Sequence, residues 1–254
     1  VGNRGTILLR DSTGEWLDVS PEGLSADLNS VTAAVNGTCM ACGDQGTLLS
    51  SFDGGRTWRI CEDFDSGGAA LLSVNFDPSS PYNFVITGEN GFLFVSDLGE
   101  IPLDSPDHVV ASCARLCSGA PELAVTASGN LIFLESGSSI NLPGGIRVNG
   151  ASAFVTGGLP FVLVGDAGLI ALFQGEVSLI PPVVQVNLND VSMTGSEASF
   201  CAVGDRGTIL VSNDGGVTWD KMDSGTSRNL NGVASDGAGN CYAVGDNVFP
   251  GVFP

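Results

Sequence analysis

Few side chains in this sequence can do chemistry, and most of those recur at regular places. Seven cysteines, a single histidine (His108) and two tyrosines (Tyr82 and Tyr242) stand among 254 residues. Cys39-x-x-Cys42 and Cys113-x-x-x-Cys117 have the spacing of paired metal ligands. Only one histidine accompanies them, and neither pair recurs at the separation a zinc module uses. No metal and no other cofactor is therefore expected. Cys39, Cys201 and Cys241 occupy matching places in a repeat, where small apolar side chains pack, so buried thiols are expected there. The residues leave a disulfide open, and the odd count leaves at least one thiol unpaired in any case.

Carboxylates carry the stronger pattern. Ser-x-Asp-x-Gly-x-Thr-Trp appears at Ser51, Asp53, Gly55, Thr57 and Trp58, and again at Ser212, Asp214, Gly216, Thr218 and Trp219, while a partial copy keeps Asp11 and Trp16. All three tryptophans of the chain fall at this one place. In such a turn the carboxylate accepts backbone amides, the glycine takes a positive φ and the indole closes the apolar underside. That is structural work, and no catalytic residue is expected from it. A second set of turns carries Asn3-Arg4, Asp44-Gln45, Glu89-Asn90, Ser128-Gly129, Asp166-Ala167, Asp205-Arg206 and Asp246-Asn247. Asp and Asn are good turn residues in their own right. Loops on a rigid scaffold also carry function, so Arg4, Asp44, Glu89, Asp166, Asp205, Arg206 and Asp246 are candidates for contact with a protein partner. A wide ring of such turns does not converge six oxygens on one point, as calcium requires.

The elements that position these turns follow from the repeat. Aligned on Gly2, Gly43, Gly88, Ala127, Gly165, Gly204 and Gly245, the units recur every ~40 residues, the period of propeller blades. Each reads as four short strands. Val31 to Val35, Asn36-Gly37, then Thr38 to Cys42 reads as the first hairpin, with Asn-Gly as a type I′ turn. Asn36-Gly37-Thr38 also matches a glycosylation sequon, which the tight hairpin explains without sugar. Val109, Val110, Cys113, Leu116 and Cys117 have helical spacing, but the repeat phase places a strand there.

The expected fold is all-β, a β-propeller of four-stranded blades forming one domain over residues 1–254. Blades are expected at 28–66, 67–105, 106–147, 148–186 and 187–226, with a sixth split between 227–254 and 1–27. The prolines of the Val248 to Pro254 tail argue against a third strand there, so pairing of the N- and C-terminal pieces would close the ring. Seven blades fit if residues are missing at the ends. The chain opens inside a repeat without a methionine, and an upstream targeting segment is expected to be missing.

Composition bounds the partners. Hydrophobic residues make up 43% and charged residues 15%, enough for a core and against a disordered tail. Lys+Arg number 9 against Asp+Glu 28, for a formal charge of −19, and Lys221 is the single lysine. Such a surface lacks the cations that phosphate backbones require, so nucleic acid is not expected as a partner. No apolar run approaches the ~20 residues of a membrane span, so direct membrane insertion is not expected either.

The Ser-x-Asp-x-Gly-x-Thr-Trp pattern resembles the Asp-box, or BNR, repeat of propeller families. Leu230-Asn231-Gly232-Val233-Ala234, Cys241-Tyr242-Ala243-Val244-Gly245-Asp246 and Gly207 through Trp219 resemble the photosystem II stability and assembly factor family of plants and cyanobacteria. The likeness covers residues 28–58 and 188–245. It implies a non-enzymatic propeller of the thylakoid lumen that docks photosystem II membrane subunits during assembly. That family closes with seven blades and meets its client through a basic patch, for which this sequence offers Arg4 and Arg206 as matching turn arginines. A permanent extrinsic subunit of a photosynthetic complex is one alternative, and similar repeats in secreted, extracytoplasmic proteins leave a second location open. A sialidase-like glycosidase or sugar-binding propeller is another. Sialidases need an arginine triad and an activated tyrosine; here the arginines are scattered and Tyr242 falls within a second strand.

Overall fold

Alternation and glycine-rich turns produce short antiparallel strands throughout. The computed structural model describes all residues except 35, 78–79, 97–98, 102, 104–106, 108, 114–122, 134–137, 144, 153–159, 195–198, 236–238, 247 and 254. The fold is an all-β propeller of four-stranded blades. Among the described residues the only helical pieces are single 3-10 turns, and no helix is long and apolar enough to cross a membrane.

Among the described residues, seven sheets follow one another in chain order. The first has two strands, β1 (Leu8–Arg10) and β2 (Trp16–Asp18). Five four-stranded sheets come next. They comprise β3 (Leu28–Ala33), β4 (Cys39–Gly43), β5 (Leu48–Ser51) and β6 (Arg59–Ile60); then β7 (Leu71–Asp77), β8 (Ser80–Gly88), β9 (Leu93–Val95) and β10 (Gly99–Glu100). The next two are β11 (Val109–Cys113), β12 (Leu123–Thr126), β13 (Asn130–Phe133) and β14 (Ser139–Asn141), and β15 (Val148–Ser152), β16 (Phe161–Gly165), β17 (Ile170–Phe173) and β18 (Val177–Ile180). The last of the five is β19 (Leu188–Thr194), β20 (Ser199–Gly204), β21 (Thr208–Ser212) and β22 (Asp220–Met222). The seventh sheet has three strands, β23 (Leu230–Ser235), β24 (Cys241–Gly245) and β25 (Val248–Phe253).

This sheet count corrects the expectation of six blades with a split sixth. β24 pairs with β23 on one edge and β25 on the other, so residues of the N-terminal piece do not fill its third place. β1 and β2 instead form a sheet of their own. The prolines misled because Pro250 falls where the β24–β25 register shifts, between the Ala243↔Gly251 and Gly245↔Val248 pairs. A proline at a bulge forfeits no ladder bond. Residues 109–113 are a strand, as the repeat phase required, and Leu116, Cys117 and His108 lie outside the described residues. The hairpin after β3 also differs from a type I′ turn: Gly37 has φ 83°, but Asn36 is not among the residues at positive φ. Its side chain instead accepts the Thr38 amide at 3.0 Å.

The chain divides into two compact units, 1–116 with 122–124, and 117–121 with 125–254. Within each, sheets stack face to face, and burial grades along every sheet. Second strands such as Cys39–Gly43 and Phe161–Gly165 are continuous apolar runs buried on both faces, whereas β24 is exposed at Val244. First strands alternate, and outer strands such as β6 and β22 are exposed. In the first unit Met40, Cys42, Leu71, Val74, Ile86 and Phe92 join the β3–β6 and β7–β10 sheets. In the second, Val162, Ile170, Leu188, Phe200, Leu210 and Trp219 join β15–β18 to β19–β22.

Five first strands, β3, β7, β15, β19 and β23, open on a bulge. The register slips between Leu28 and Ser30, Leu71 and Ser73, Val148 and Gly150, Leu188 and Asp190, and Leu230 and Gly232. The skipped residue has no partner opposite it, and its side chain is freed from the pleat. Four of the five skipped residues are asparagines: Asn29, Asn149, Asn189 and Asn231.

Candidate functional site

Five of the turns that lead into third strands share one backbone. In Asn3–Gly5, Asp44–Gly46, Glu89–Gly91, Asp166–Gly168 and Asp205–Gly207 the middle residue is left-handed, with Arg4, Gln45, Asn90, Ala167 and Arg206 at φ 54–58°. A non-glycine residue there costs about 1–2 kcal/mol, so surrounding bonds must hold it. They do. The turn amide of Asp205 donates to the Asn187 carbonyl at 2.9 Å, and Asp44, Glu89 and Asp166 donate likewise to Asp27, Ala70 and Arg147. The middle amides of Arg4, Ala167 and Arg206 donate to the side chains of Asp27, Asn187 and Asn229 at 2.8, 3.1 and 3.2 Å. The glycine before four of these turns, Gly43, Gly88, Gly165 and Gly204, is fixed by proximity: a Cβ on Gly204 would sit 2.1 Å from the Asn187 carbonyl oxygen.

The bulge asparagines, which sequence reasoning passed over, tie these turns to the next sheet. Asn29, Asn149, Asn189 and Asn231 donate through Nδ2 to Oδ1 of Asp44, Asp166, Asp205 and Asp246 at 3.0, 3.0, 3.1 and 2.9 Å. The same Nδ2 of Asn29, Asn149 and Asn189 also donates to the carbonyls of Leu71, Leu188 and Leu230, each opening the next first strand, at 3.0, 3.0 and 2.9 Å. The signal was an apolar-Asn pair 15 to 17 residues before the turn aspartate.

This wiring separates the candidate residues into two groups. Asp44, Asp166 and Asp205 are half-buried with an oxygen engaged, whereas Arg4 and Arg206 are exposed middle residues, as are Gln45 and Asn90. Glu89 is half-buried and Asp246 exposed. What each turn presents outward is its middle residue. In the first unit those are Arg4, Gln45 and Asn90; in the second, Ala167 and Arg206.

The outer turns are closed on themselves. Asp214 Oδ1 accepts from the Ser212 hydroxyl at 2.9 Å and the Thr218 amide at 2.9 Å, and Oδ2 accepts the Thr218 hydroxyl at 2.6 Å. Ser212 Oγ in turn accepts the Gly216 amide, and the Trp219 indole donates to the Gly216 carbonyl at 2.8 Å. Asp53 repeats the scheme with Ser51, Arg56 and Thr57. Asp11 accepts the Thr13 amide and hydroxyl and the Glu15 amide. All three carboxyls are held below the usual range, chiefly by the hydroxyls of Thr218, Thr57 and Thr13. The tryptophans differ by what lies beneath them. Trp219 packs on the complete β15–β18 sheet and is 6% exposed, Trp58 packs against the cluster of Ile7, Leu28, Ala41 and Leu49 and is half-buried, and Trp16 is 47% exposed.

One carboxylate lies away from any turn. Asp190, third residue of β19, accepts the Val191 amide and, from the adjacent β23, the Val233 amide, both at 2.8 Å. Enclosure of its carboxyl raises the pKa to about 6, against the pull of those two amides. Ser30 holds the same place in β3 and accepts the Val74 amide at 3.3 Å. Among the described residues no three His, Cys, Asp or Glu side chains gather as a metal site would need.

No protein-family model matches the sequence, and no curated protein matches it. Solved structures do. YCF48 from Cyanidioschyzon merolae aligns over 96% of this chain and 87% of its own, with a TM-score of 0.70 and 17% identity. A structure described as YCF48 bound to D1 peptide aligns over 97% of this chain and 84% of its own, with a TM-score of 0.72 and 16% identity. The chain shares the fold of YCF48. At such identity the YCF48 likeness rests on the backbone, which the glycines, bulges and turn aspartates of the repeat enforce, and leaves the exposed positions free to differ.

Proposed function

We propose that this protein is a non-enzymatic scaffold that binds photosystem II subunits, D1 among them, through the exposed residues of its second-to-third-strand turns, in the thylakoid lumen. The observation that carries the reading is the fold shared with a YCF48 structure holding a D1 peptide. The turns supply the means: rigid backbones whose middle residues project into solvent, with guanidinium groups at Arg4 and Arg206. Asp44, Glu89, Asp166, Asp205 and Asp246 flank them and set the local charge. A transient assembly role and lasting attachment use the same surface, and both predict a direct peptide contact.

Titration of a labelled D1 peptide tests this. Arg206→Glu weakens binding about tenfold, the loss of one charged contact, while the circular dichroism spectrum stays unchanged. Asp205→Lys with Asp44→Lys weakens it too, but also breaks the asparagine bonds, so Asp44→Asn with Asp205→Asn, which keeps an acceptor oxygen, is the proper control. Capture in mild detergent brings down photosystem II subunits. Absence of peptide binding together with absence of those subunits overturns the proposal, and cleavage of a fluorogenic sialoside would replace it with glycosidase activity.

A further inference from the structure

The second unit buries two thiols against each other. Cys201 lies in β20 and Cys241 in β24, on adjacent sheets, and both belong to one apolar cluster with Val203, Ile209, Leu230 and Ala243. They are 1% and 4% exposed. The two side chains hydrogen-bond to each other, and that bond, then burial, then the negative charge of Cys241 and Asp190, holds the Cys201 thiol far above the usual range. Neither is disulfide-bonded here. The other described thiols are built differently. Cys42 is enclosed by apolar groups and pushed up to about 12 by burial alone, and Cys39 faces the Gly37 carbonyl at 3.7 Å.

We infer that Cys201 and Cys241 are an oxidisable pair that forms a disulfide bolting the three-stranded C-terminal sheet to its four-stranded neighbour. The oxidant is a small disulfide of the glutathione class. One cysteine thiolate attacks it, giving a mixed disulfide and releasing one small thiolate; the second cysteine thiolate then attacks the mixed disulfide and releases the other. Two thiol protons end on the two released thiolates, and two electrons pass to the small disulfide. Covalent closure draws the sulfurs from hydrogen-bond contact to about 2.05 Å, which the two sheets must accommodate.

Burial and the neighbouring carboxylate of Asp190 both suppress the reactive thiolate, so exchange is slow in the folded protein and fast while the last sheet is still undocked. The bond also removes disorder from the unfolded chain.

The test is refolding of the full chain from denaturant in oxidised and in reducing glutathione buffers, followed by acid quench, alkylation under denaturing conditions and peptide mapping. The oxidised sample is expected to contain a cross-linked peptide joining Cys201 to Cys241 and to melt at higher temperature than the reduced one. Cys241→Ala, which keeps a small apolar side chain in the cluster, is expected to melt alike in both buffers. Full alkylation of both thiols in the oxidised wild type overturns the inference, as does mapping of the bond to any other pair.

Discussion

The inner and outer aspartate turns look alike in sequence and are built on opposite principles. Asp214 spends its oxygens on residues no more than four positions away. Asp205 accepts from Asn189, 16 residues distant, whose other hydrogen reaches the next sheet. The outer turn is a local knot that supports its own sheet. The inner turn is a joint between sheets, and its outward surface is the residue beside the carboxylate. An aspartate next to a glycine therefore says where the chain bends but not what the carboxylate holds.

The largest effect expected lies in the outer turns. Trp219→Ala should destabilise by about 3–5 kcal/mol, because it empties a buried site between two complete sheets. Trp58→Ala should cost less and Trp16→Ala least, in the order of their burial. Urea unfolding of the three variants measures the series. Equal losses would mean that the knot itself, and not the sheet beneath it, sets the contribution of the indole.

Next comes the inner joint's glycine. Gly204→Ala places a methyl group 2.1 Å from the Asn187 carbonyl oxygen and 3.0 Å from Leu188 Cα, both backbone atoms that cannot rotate away. A loss of about 2–4 kcal/mol in thermal unfolding is expected. Gly215→Ala on the outer turn meets nothing within 4 Å and pays only for its φ of 78°, so it should cost about 1 kcal/mol.

Asp190 and the outer-turn carboxylates carry opposite pH signatures. Asp190 has its pKa raised to about 6 in the folded protein, above the ordinary value near 4. The folded state thus binds its proton more tightly. The resulting stability is complete below about pH 4 and is lost as pH rises through 6, by about 2–3 kcal/mol. Asp53, Asp214 and Asp11 are shifted down, so their contribution is present above the ordinary value and fades as pH falls. Asp190→Ser keeps an acceptor, as Ser30 does in β3. Urea midpoints of this variant at pH 4.5 and 7 should show the first slope removed, while midpoints below about pH 4 should still fall as the outer-turn carboxylates protonate.

How much of this was legible depends on how local each feature is. The strand pattern and the outer-turn motif lie within a few neighbouring residues, so the spacing of Ser51, Asp53, Gly55 and Trp58 was enough to place the turn. The C-terminal strand was misread because the register slip that accommodates Pro250 depends on its partner β24. The asparagines were missed for the same reason. Asn189 looks like an ordinary polar residue at a strand start until the bulge turns its side chain toward Leu230. Among the candidate contact residues, the sequence could not tell the engaged carboxylate from the exposed residue beside it.

The smallest effect is also the most specific to the joint. Asn189→Ala removes the donor to Asp205 and to the Leu230 carbonyl together, and should cost about 1–2 kcal/mol. Asp205→Ala removes only the first of these and should cost less. If the two act through one network, the double variant loses less than the sum of the singles. Pairing Asn189→Ala with Asp214→Ala should instead be additive, because no bond of the outer turn passes through Asn189. Equal coupling in both cycles would show that the inner and outer turns form a single cooperative unit, and the division between joint and knot would fall with it.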